Sequence, residues 1–240
     1  MKTGRDFSEA KSTNTRNFTS QRLRRASSPP KQNERALTRL QVLVVIGMLA
    51  LLAVVLGTKI SNAAQRARRI SCVCHLKQVG LAYRMWSNDH SNHFPWQLST
   101  TTGGTLEWIS GSNISVHFVM ASNELNSPKV LICPADSDRA AAKDFNAPFG
   151  SNNISYFLGL DADETNPYTF LSGDRTLSTK STIQTGLFVI SATNPPTWAP
   201  GLHLNGGNIG FADGSVQQLD RTRLLQSVAS KSLSFRILLP

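Results

Sequence analysis

The sequence predicts an α+β protein in which a long N-terminal helix packs on a small antiparallel β-sheet. Two observations predict the helix: an uncharged run of 19 residues from Leu40 to Thr58, and apolar residues at helical spacing that continue to residue 87. A third observation predicts the sheet, because short apolar runs bounded by turn residues recur after residue 128.

The net charge of +10 is concentrated near the N terminus. The 240 residues include 25 Lys and Arg against 15 Asp and Glu, and ten of the basic residues but only three of the acidic ones lie in residues 1–39. Residues 1–36 mix basic residues with Ser, Thr and Asn, so we expect a disordered basic leader. DNA binding would require that leader to stay attached and face DNA, and we therefore predict no nucleic-acid partner.

Residues 37–58 are predicted to be the transmembrane half of the helix. At about 1.5 Å per residue, the uncharged run approaches the roughly 30 Å apolar core of a bilayer. The alternatives are a buried helix of a soluble domain and a secretory signal, whose apolar region is usually shorter. Six basic residues precede the span and four follow it closely, which favours a cytoplasmic N terminus.

Residues 59–90 are predicted to continue the helix as an amphipathic half whose apolar stripe packs on the remainder of the chain. The stripe comprises Ile60, Ala63, Ala67, Ile70, Val73, Leu76, Val79, Tyr83 and Trp86.

Residues 91–240 are predicted to form an α+β head. Strands are expected at 129–133, 154–158 and 186–190, and a hairpin over 208–219 with Asp213-Gly214 at its two positive-φ turn positions. One short element is expected near 116–120, within a loop region, and a short closing helix is expected at 221–230.

The segment from residue 36 to 46 reads A-L-T-R-L-Q-V-L-V-V-I and resembles the G-F-T-L-I-E-L-L-V-V-I junction of type IV pilin-like proteins, more narrowly the pseudopilins of type II secretion systems. Residues 71–82 and 131–136 resemble later blocks of such proteins. His203, nine residues before Asp213-Gly214, resembles the C-terminal signature of the large pilin-like families of planctomycetes and verrucomicrobial relatives.

The resemblance implies processing at the junction. A prepilin peptidase would cut between Ala36 and Leu37 and methylate the new amine of Leu37. The residue before the cut is Gly in the family and Ala36 here. The family's Glu, thought to pair with the N-terminal amine of a neighbouring subunit, is Gln41 here, which implies weaker incorporation or a minor, priming or tip role.

The implied function is structural and not enzymatic. Subunits would stack their apolar half-helices into a short periplasmic filament that helps to push or sort secreted proteins. The implied partners are other pseudopilins and further copies of this chain, the prepilin peptidase, secretion platform proteins and the inner membrane, with the head in the periplasm. The alternative, favoured by Gln41, is an anchored periplasmic binding or metal-dependent enzymatic head that never polymerises.

Three cysteines are too few for a disulfide-built scaffold. The periplasmic head implied by the family allows thiols to oxidise, so we expect a Cys72–Cys133 disulfide that ties the sheet to the helix. A Cys74–Cys133 bridge and three reduced thiols remain alternatives.

Asp161, Asp163 and Glu164 place three carboxylates in one short segment, as calcium ligands require, and some pseudopilins bind calcium in such a loop. A solvated acidic turn is the alternative, and no other cofactor is expected.

His203 and Asp213 form an acid–base pair or metal ligands in one interpretation. In the other, Asp213 belongs to the hairpin turn and His203 is packed or hydrogen-bonded. No nucleophile elbow, zinc-protease helix, P-loop or dinucleotide-binding glycine motif occurs, so no catalytic residue is predicted. The four tryptophans are expected to anchor the core or loops, although each could stack on a sugar.

Overall fold

The structure is a computed structural model that describes residues 38–111, 113–146, 148–180, 182–204, 206–229 and 234–240, with the backbone alone for residues 58–62. The predicted leader, residues 1–36, lies outside the described residues. The chain divides into two units, Met1–Ala50 and Leu51–Pro240.

Helix α1 extends from Arg39 to Asp89 as one element of 51 residues. It begins where Thr38 Oγ1 accepts a hydrogen bond from the backbone N–H of Gln41 at 3.4 Å, a capping position that the T-x-x-Q sequence provides. Its first part, Arg39–Gly57, is long and apolar enough to cross a membrane, and none of these residues is buried. The predicted apolar span is therefore a continuous helix.

The second part of α1 packs on the head, but over a shorter stretch than the sequence predicts. The buried stripe begins at Cys72 and continues through Leu76, Val79 and Tyr83 to Trp86. The expected members Ala63, Ala67 and Ile70 are exposed, with 60% of Ile70 accessible. Cys72 takes the place expected for Val73 because it faces the loop around Cys133.

The head contains an antiparallel sheet of six strands, ordered β4-β8-β1-β2-β6-β7, and a two-stranded ribbon of β3 and β5 among the described residues. The strands are Tyr156–Gly159 (β1), Phe170–Asp174 (β2), Leu177–Ser178 (β3), Gly186–Ile190 (β4), Thr197–Trp198 (β5), Gly206–Phe211 (β6), Val216–Asp220 (β7) and Phe235–Leu239 (β8). The other helices are Ser115–Met120 (α2), Ser122–Leu125 (α3) and Arg221–Ala229 (α4). The short element predicted near 116–120 is helix α2, and the closing helix predicted at 221–230 is confirmed as α4.

The sheet is covered on both faces. Successive side chains of a strand point to opposite faces, so Tyr156 and Leu158 pack in the cluster that contains the α1 stripe. Phe157 packs in a second cluster with Leu224 and Val228 of α4. The central strands β1, β2 and β6 are consequently buried along their whole length.

The predicted hairpin is confirmed as β6 and β7, although its turn differs from the expected one. Of the Asp213-Gly214 pair only Gly214 has a positive φ, 82°. Backbone N–H groups of Gly214 and Phe211 donate to Phe211 O and Ser215 O, which makes a three-residue loop of the kind that ends in a left-handed residue. Asp213 instead stabilises the turn by accepting a hydrogen bond from the Ser215 N–H at 2.8 Å.

The predicted strand at 129–133 is wrong, because Pro128–Leu131 form a 3-10 turn. Ser127 caps this turn through its side chain, and Pro128 occupies its first position, where a missing N–H costs nothing. Cys133 therefore lies in a loop and does not end a strand.

Cys72 of α1 and Cys133 of that loop form a disulfide, with Cα atoms 5.0 Å apart and a sequence separation of 61. Both cysteines are fully buried, whereas Cys74 is free and exposed. The bridge fixes α1 to the loop that precedes β1. Closing a loop of this length stabilises a folded domain by about 4 kcal/mol in the chain-entropy account.

We expect the double substitution Cys72→Ser with Cys133→Ser to lower the free energy of unfolding of the full chain in detergent by about 4 kcal/mol. Without the bridge, the unfolded chain gains the conformational entropy that the closed loop had removed. Urea titration followed by near-UV circular dichroism measures the change. Cys74→Ser is the matched control and leaves stability unaltered. Alkylation of all three cysteines in the unreduced, denatured protein would show that the bridge is absent.

Candidate functional site

A cluster of polar side chains meets behind the loop that joins β5 to β6. Asp174 ends β2, Asn208 lies in β6 and His203 belongs to the connecting loop. The side chains of His203 and Asp174 are 4% and 0% exposed, and Asn208 is fully buried. The Cys72–Cys133 disulfide adjoins the group, because Cys133 Sγ lies 3.6 Å from His203 Nε2.

Asn208 connects the other two members of the cluster. Its backbone N–H and its side-chain Nδ2 both donate to Asp174 Oδ2, at 2.7 and 3.0 Å. The same Nδ2 lies 3.1 Å from His203 Nε2, and that nitrogen is 3.4 Å from Asp174 Oδ2. Asp174 Oδ1 and Asn208 Oδ1 are buried without a hydrogen-bond partner among the described residues.

Burial sets the protonation of this cluster. It raises the pKa of Asp174 to about 7, against the opposing effect of the Asn208 hydrogen bonds and of Arg69. It also lowers the pKa of His203 to about 4, with a further contribution from the charge of Arg69. In slightly acidic solution the folded protein therefore holds a neutral imidazole beside a protonated carboxyl group.

His203 also lines an open cavity of about 550 Å³ in the second unit. One wall is the α1 segment from Gln65 to Arg69, and the opposite wall is the segment 198–204. Arg69 reaches across to Gly207, where its Nη2 lies 3.5 Å from the carbonyl oxygen. The cavity thus combines a cationic helix face with a mostly apolar loop.

Cys72, Cys133 and His203 are the one group of three or more potential metal ligands with donor atoms close together, within 4.8 Å, in the part of the chain that the structure describes. A thiolate, not a disulfide sulfur, is the metal ligand. With Cys72 and Cys133 bridged, the group holds the loop against α1 and offers a metal only the imidazole.

A second polar network is centred on Arg175, which follows Asp174 in the chain. Arg175 donates to both carboxylate oxygens of Asp136, at 2.7 and 2.8 Å, and to Asp138 Oδ2 at 2.8 Å. Ser155 Oγ donates to Asp136 Oδ2 at 2.8 Å. Burial alone would raise the pKa of Asp136, but the hydrogen bonds from Arg175 and Ser155 outweigh it and hold that pKa below its usual value.

The three candidate calcium ligands each have a different protein partner. Asp161 forms an ion pair with Arg236, Asp163 Oδ1 accepts hydrogen bonds from the Thr165 backbone and hydroxyl, and Glu164 lies 3.9 Å from Arg84. Their carboxylate oxygens do not lie close enough together to form a common ligand group. The calcium site remains a prediction that the geometry of these residues does not favour.

The signature residues His203, Asp213 and Gly214 occupy two separate places. His203 contacts Asp174 and the disulfide, whereas Asp213 and Gly214 form the β6–β7 turn. Arg84 of α1 donates to the Asp213 carbonyl oxygen at 2.9 Å. A Cβ at Gly80 would lie 3.5 Å from Gly214 Cα, an ordinary contact distance, so the turn lies against α1 at this point. These contacts fit the interpretation in which Asp213 belongs to the hairpin turn and His203 is hydrogen-bonded.

At the N-terminal junction the structure covers only part of the predicted site. Ala36 and Leu37 lie outside the described residues. Gln41 lies in the first turn of α1, with its backbone N–H bonded to Thr38.

Asp174, Asn208 and Arg69 are site residues that sequence reasoning missed. Asp174 follows Gly173, and a Gly-Asp pair is typical of turns, so the segment 170–174 did not resemble a strand. Asn208 lies in the predicted hairpin, but only the pairing of β2 with β6 brings it to Asp174.

Comparison with models of protein families, with curated proteins and with solved structures finds no match.

We expect Asp174→Asn to stabilise the protein relative to wild type, by an amount that grows to about 4 kcal/mol as the pH rises from 4 to 7. The folded-state pKa is raised, so ionising Asp174 costs stability over that range, and Asn imitates the protonated acid without ionising. Urea unfolding of the detergent-solubilised chain at several pH values measures the difference.

His203→Gln is the complementary control. The pKa of His203 is lowered in the folded state, so the wild type loses stability as the pH falls from 6.5 to 4 and the unfolded state takes up a proton. The variant has no such group, and its stability relative to wild type is therefore greatest at low pH. A difference between wild type and Asp174→Asn that does not change with pH would contradict the assignment of Asp174 as a buried acid.

Proposed function

We propose that this chain is a membrane-anchored structural subunit that assembles through the apolar half of α1, in the manner of type IV pilin-like proteins. The observation that carries the proposal is the exposure of this half-helix: between Arg39 and Lys59 there is no charged residue, and none of Arg39–Gly57 is buried.

The size of this apolar surface requires a partner. Thirteen large apolar side chains between Leu40 and Leu56 are each at least 41% exposed in the isolated chain. Fully burying such a side chain contributes roughly 1.5–3 kcal/mol, so covering half of each contributes on the order of 10–20 kcal/mol. That is as large as the stability of a typical domain. Lipid tails and the half-helices of neighbouring subunits both satisfy this requirement, so the segment can pass between them at little net cost.

Gln41 bears on which position the subunit takes in a pilin-like filament. A charged Glu in an apolar environment is tolerated only when it is paired. Gln keeps the hydrogen-bonding capacity and the capping position next to Thr38 without that charge. A subunit of this kind suits a minor or tip position, where fewer neighbours contact the first turn.

In this proposal the N terminus is cytoplasmic and the head is periplasmic. The Cys72–Cys133 disulfide is consistent with that placement, because disulfides persist in oxidising compartments. The partners are further pseudopilins, the prepilin peptidase and the secretion platform proteins, and the head has a structural role and no enzymatic one.

The second candidate is an anchored periplasmic binding head that does not polymerise. Two observations favour it: the uncharged Gln41 and the cationic cavity between residues 65–69 and 198–204. It shares the membrane anchor with the first proposal and differs from it in the fate of residues 1–36.

Co-expression with a prepilin peptidase tests the proposal. We expect the mature chain to lose residues 1–36 and to gain one methyl group on Leu37, which intact-mass measurement detects. Ala36→Gly restores the family's residue and increases the cut fraction, whereas Ala36→Val, with a bulky side chain at the cut, abolishes cleavage. If wild type and Ala36→Gly both stay uncut, the pilin-like proposal fails and the anchored head remains.

A further inference from the structure

Three arginines stand on one wall of the cavity, and two of them have no partner among the described residues. Arg66 and Arg68 have no ion pair or hydrogen bond with any described residue, whereas Arg69 contacts the Gly207 carbonyl oxygen and its charge acts on Asp174 and His203. No Asp or Glu belongs to the described lining. Three guanidinium groups within four residues repel one another, and a bound anion would relieve that repulsion.

The opposite wall is apolar and contains an aromatic side chain. Trp198 is half-buried, and its ring covers Gly207 so closely that a Cβ at this glycine would overlap it. Ala199, Pro200 and Leu202 continue the wall. Aromatic and apolar surface beside Arg side chains suits a ligand that has both a flat apolar face and acidic substituents.

We propose that this cavity binds an acidic oligosaccharide, with a sugar ring against Trp198 and its carboxylate or sulfate groups on Arg66 and Arg68. Guanidinium groups bind both kinds of anion through paired N–H donors. A volume of about 550 Å³ lies within the range of small-molecule binding pockets. This activity goes beyond the proposed structural role and does not depend on whether the chain polymerises.

The position of the cavity argues against a lipid headgroup as the ligand. Along α1, Arg66 and Arg69 lie about 14 and 18 Å beyond Gly57, at about 1.5 Å per residue. The headgroup layer of one leaflet is only roughly 5–8 Å thick. A helix tilt of about 20° shortens the axial distance by less than a tenth, so the arginines stay beyond the headgroups.

Calorimetric titration of the full chain in nanodiscs made of neutral lipid tests the proposal. The probes are a heparin-derived tetrasaccharide, a tetramer of galacturonate, and neutral maltotetraose. We expect at least one acidic probe to bind at 0.15 M salt and maltotetraose not to bind. The acidic sugar that binds better identifies sulfate or carboxylate as the preferred group.

The variant Arg66→Gln with Arg68→Gln should bind the preferred acidic sugar at least about tenfold more weakly, because two charge-assisted contacts are lost. The variant Arg221→Gln with Arg223→Gln removes the same charge from exposed positions on α4 and should retain wild-type affinity. Trp198→Phe keeps a ring over Gly207 and should weaken the sugar but not inorganic sulfate.

Three results would overturn the proposal. The first is that neither acidic sugar binds the wild type. The second is an equal loss of affinity in both double variants, which indicates non-specific charge attraction, and the third is a loss of sugar binding when the nanodisc contains phosphatidylglycerol, which assigns the arginines to lipid. Thermal unfolding of each variant is the control for folding. An unaltered unfolding temperature means that a lost affinity reflects the site and not the fold.

Discussion

The central constraint is the exposed apolar part of α1, Arg39–Gly57, which is long and apolar enough to cross a membrane. From Leu40 to Gly57 the helix has no charged and no buried residue, and apolar side chains lie on all its sides. After Gly57 the character of the helix changes, first to a basic segment and then, from Cys72, to a stripe that is buried in the head. One continuous secondary-structure element therefore meets two different environments.

The head is attached to α1 by chemically different contacts that act at successive turns. The disulfide acts at Cys72, the hairpin turn lies against Gly80, and Arg84 binds the Asp213 carbonyl. Beneath them, Leu76, Val79 and Tyr83 fill the space against the sheet. These contacts give His203 and the Asp213-Gly214 pair separate structural roles, although the sequence alone makes them resemble one site.

Local features of the sequence predicted the elements that depend on local interactions. The periodicity of α1, the β6–β7 hairpin and the strand 186–190 could all be recognised from neighbouring residues. The strand β8 was missed because it is defined by its pairing with β1 and β4, far away in sequence. The strand predicted at 129–133 is replaced by a helical turn, because Pro128 follows a capping serine and begins that turn.

The polar cluster could not be predicted in the same way. Asp174 and His203 are 29 positions apart in the sequence, and their contact depends on the pairing of β2 with β6 and on the loop before β6. The Arg175–Asp136 pair likewise joins the end of β2 to a loop 39 residues earlier. Buried charge partners of this kind follow from tertiary packing, whereas a charge pattern in sequence indicates only where charge is abundant.

Cys74 permits the most direct test of the account, because it is exposed on α1 and free while the other two cysteines are bridged. Intact cells that express the full chain are treated with a membrane-impermeant maleimide, and Cys74→Ser serves as the control. With the head in the periplasm and α1 in the membrane, wild type is labelled before lysis and the chain stays in membranes after alkaline washing. Labelling only after lysis, or a chain recovered in the soluble fraction, would contradict it.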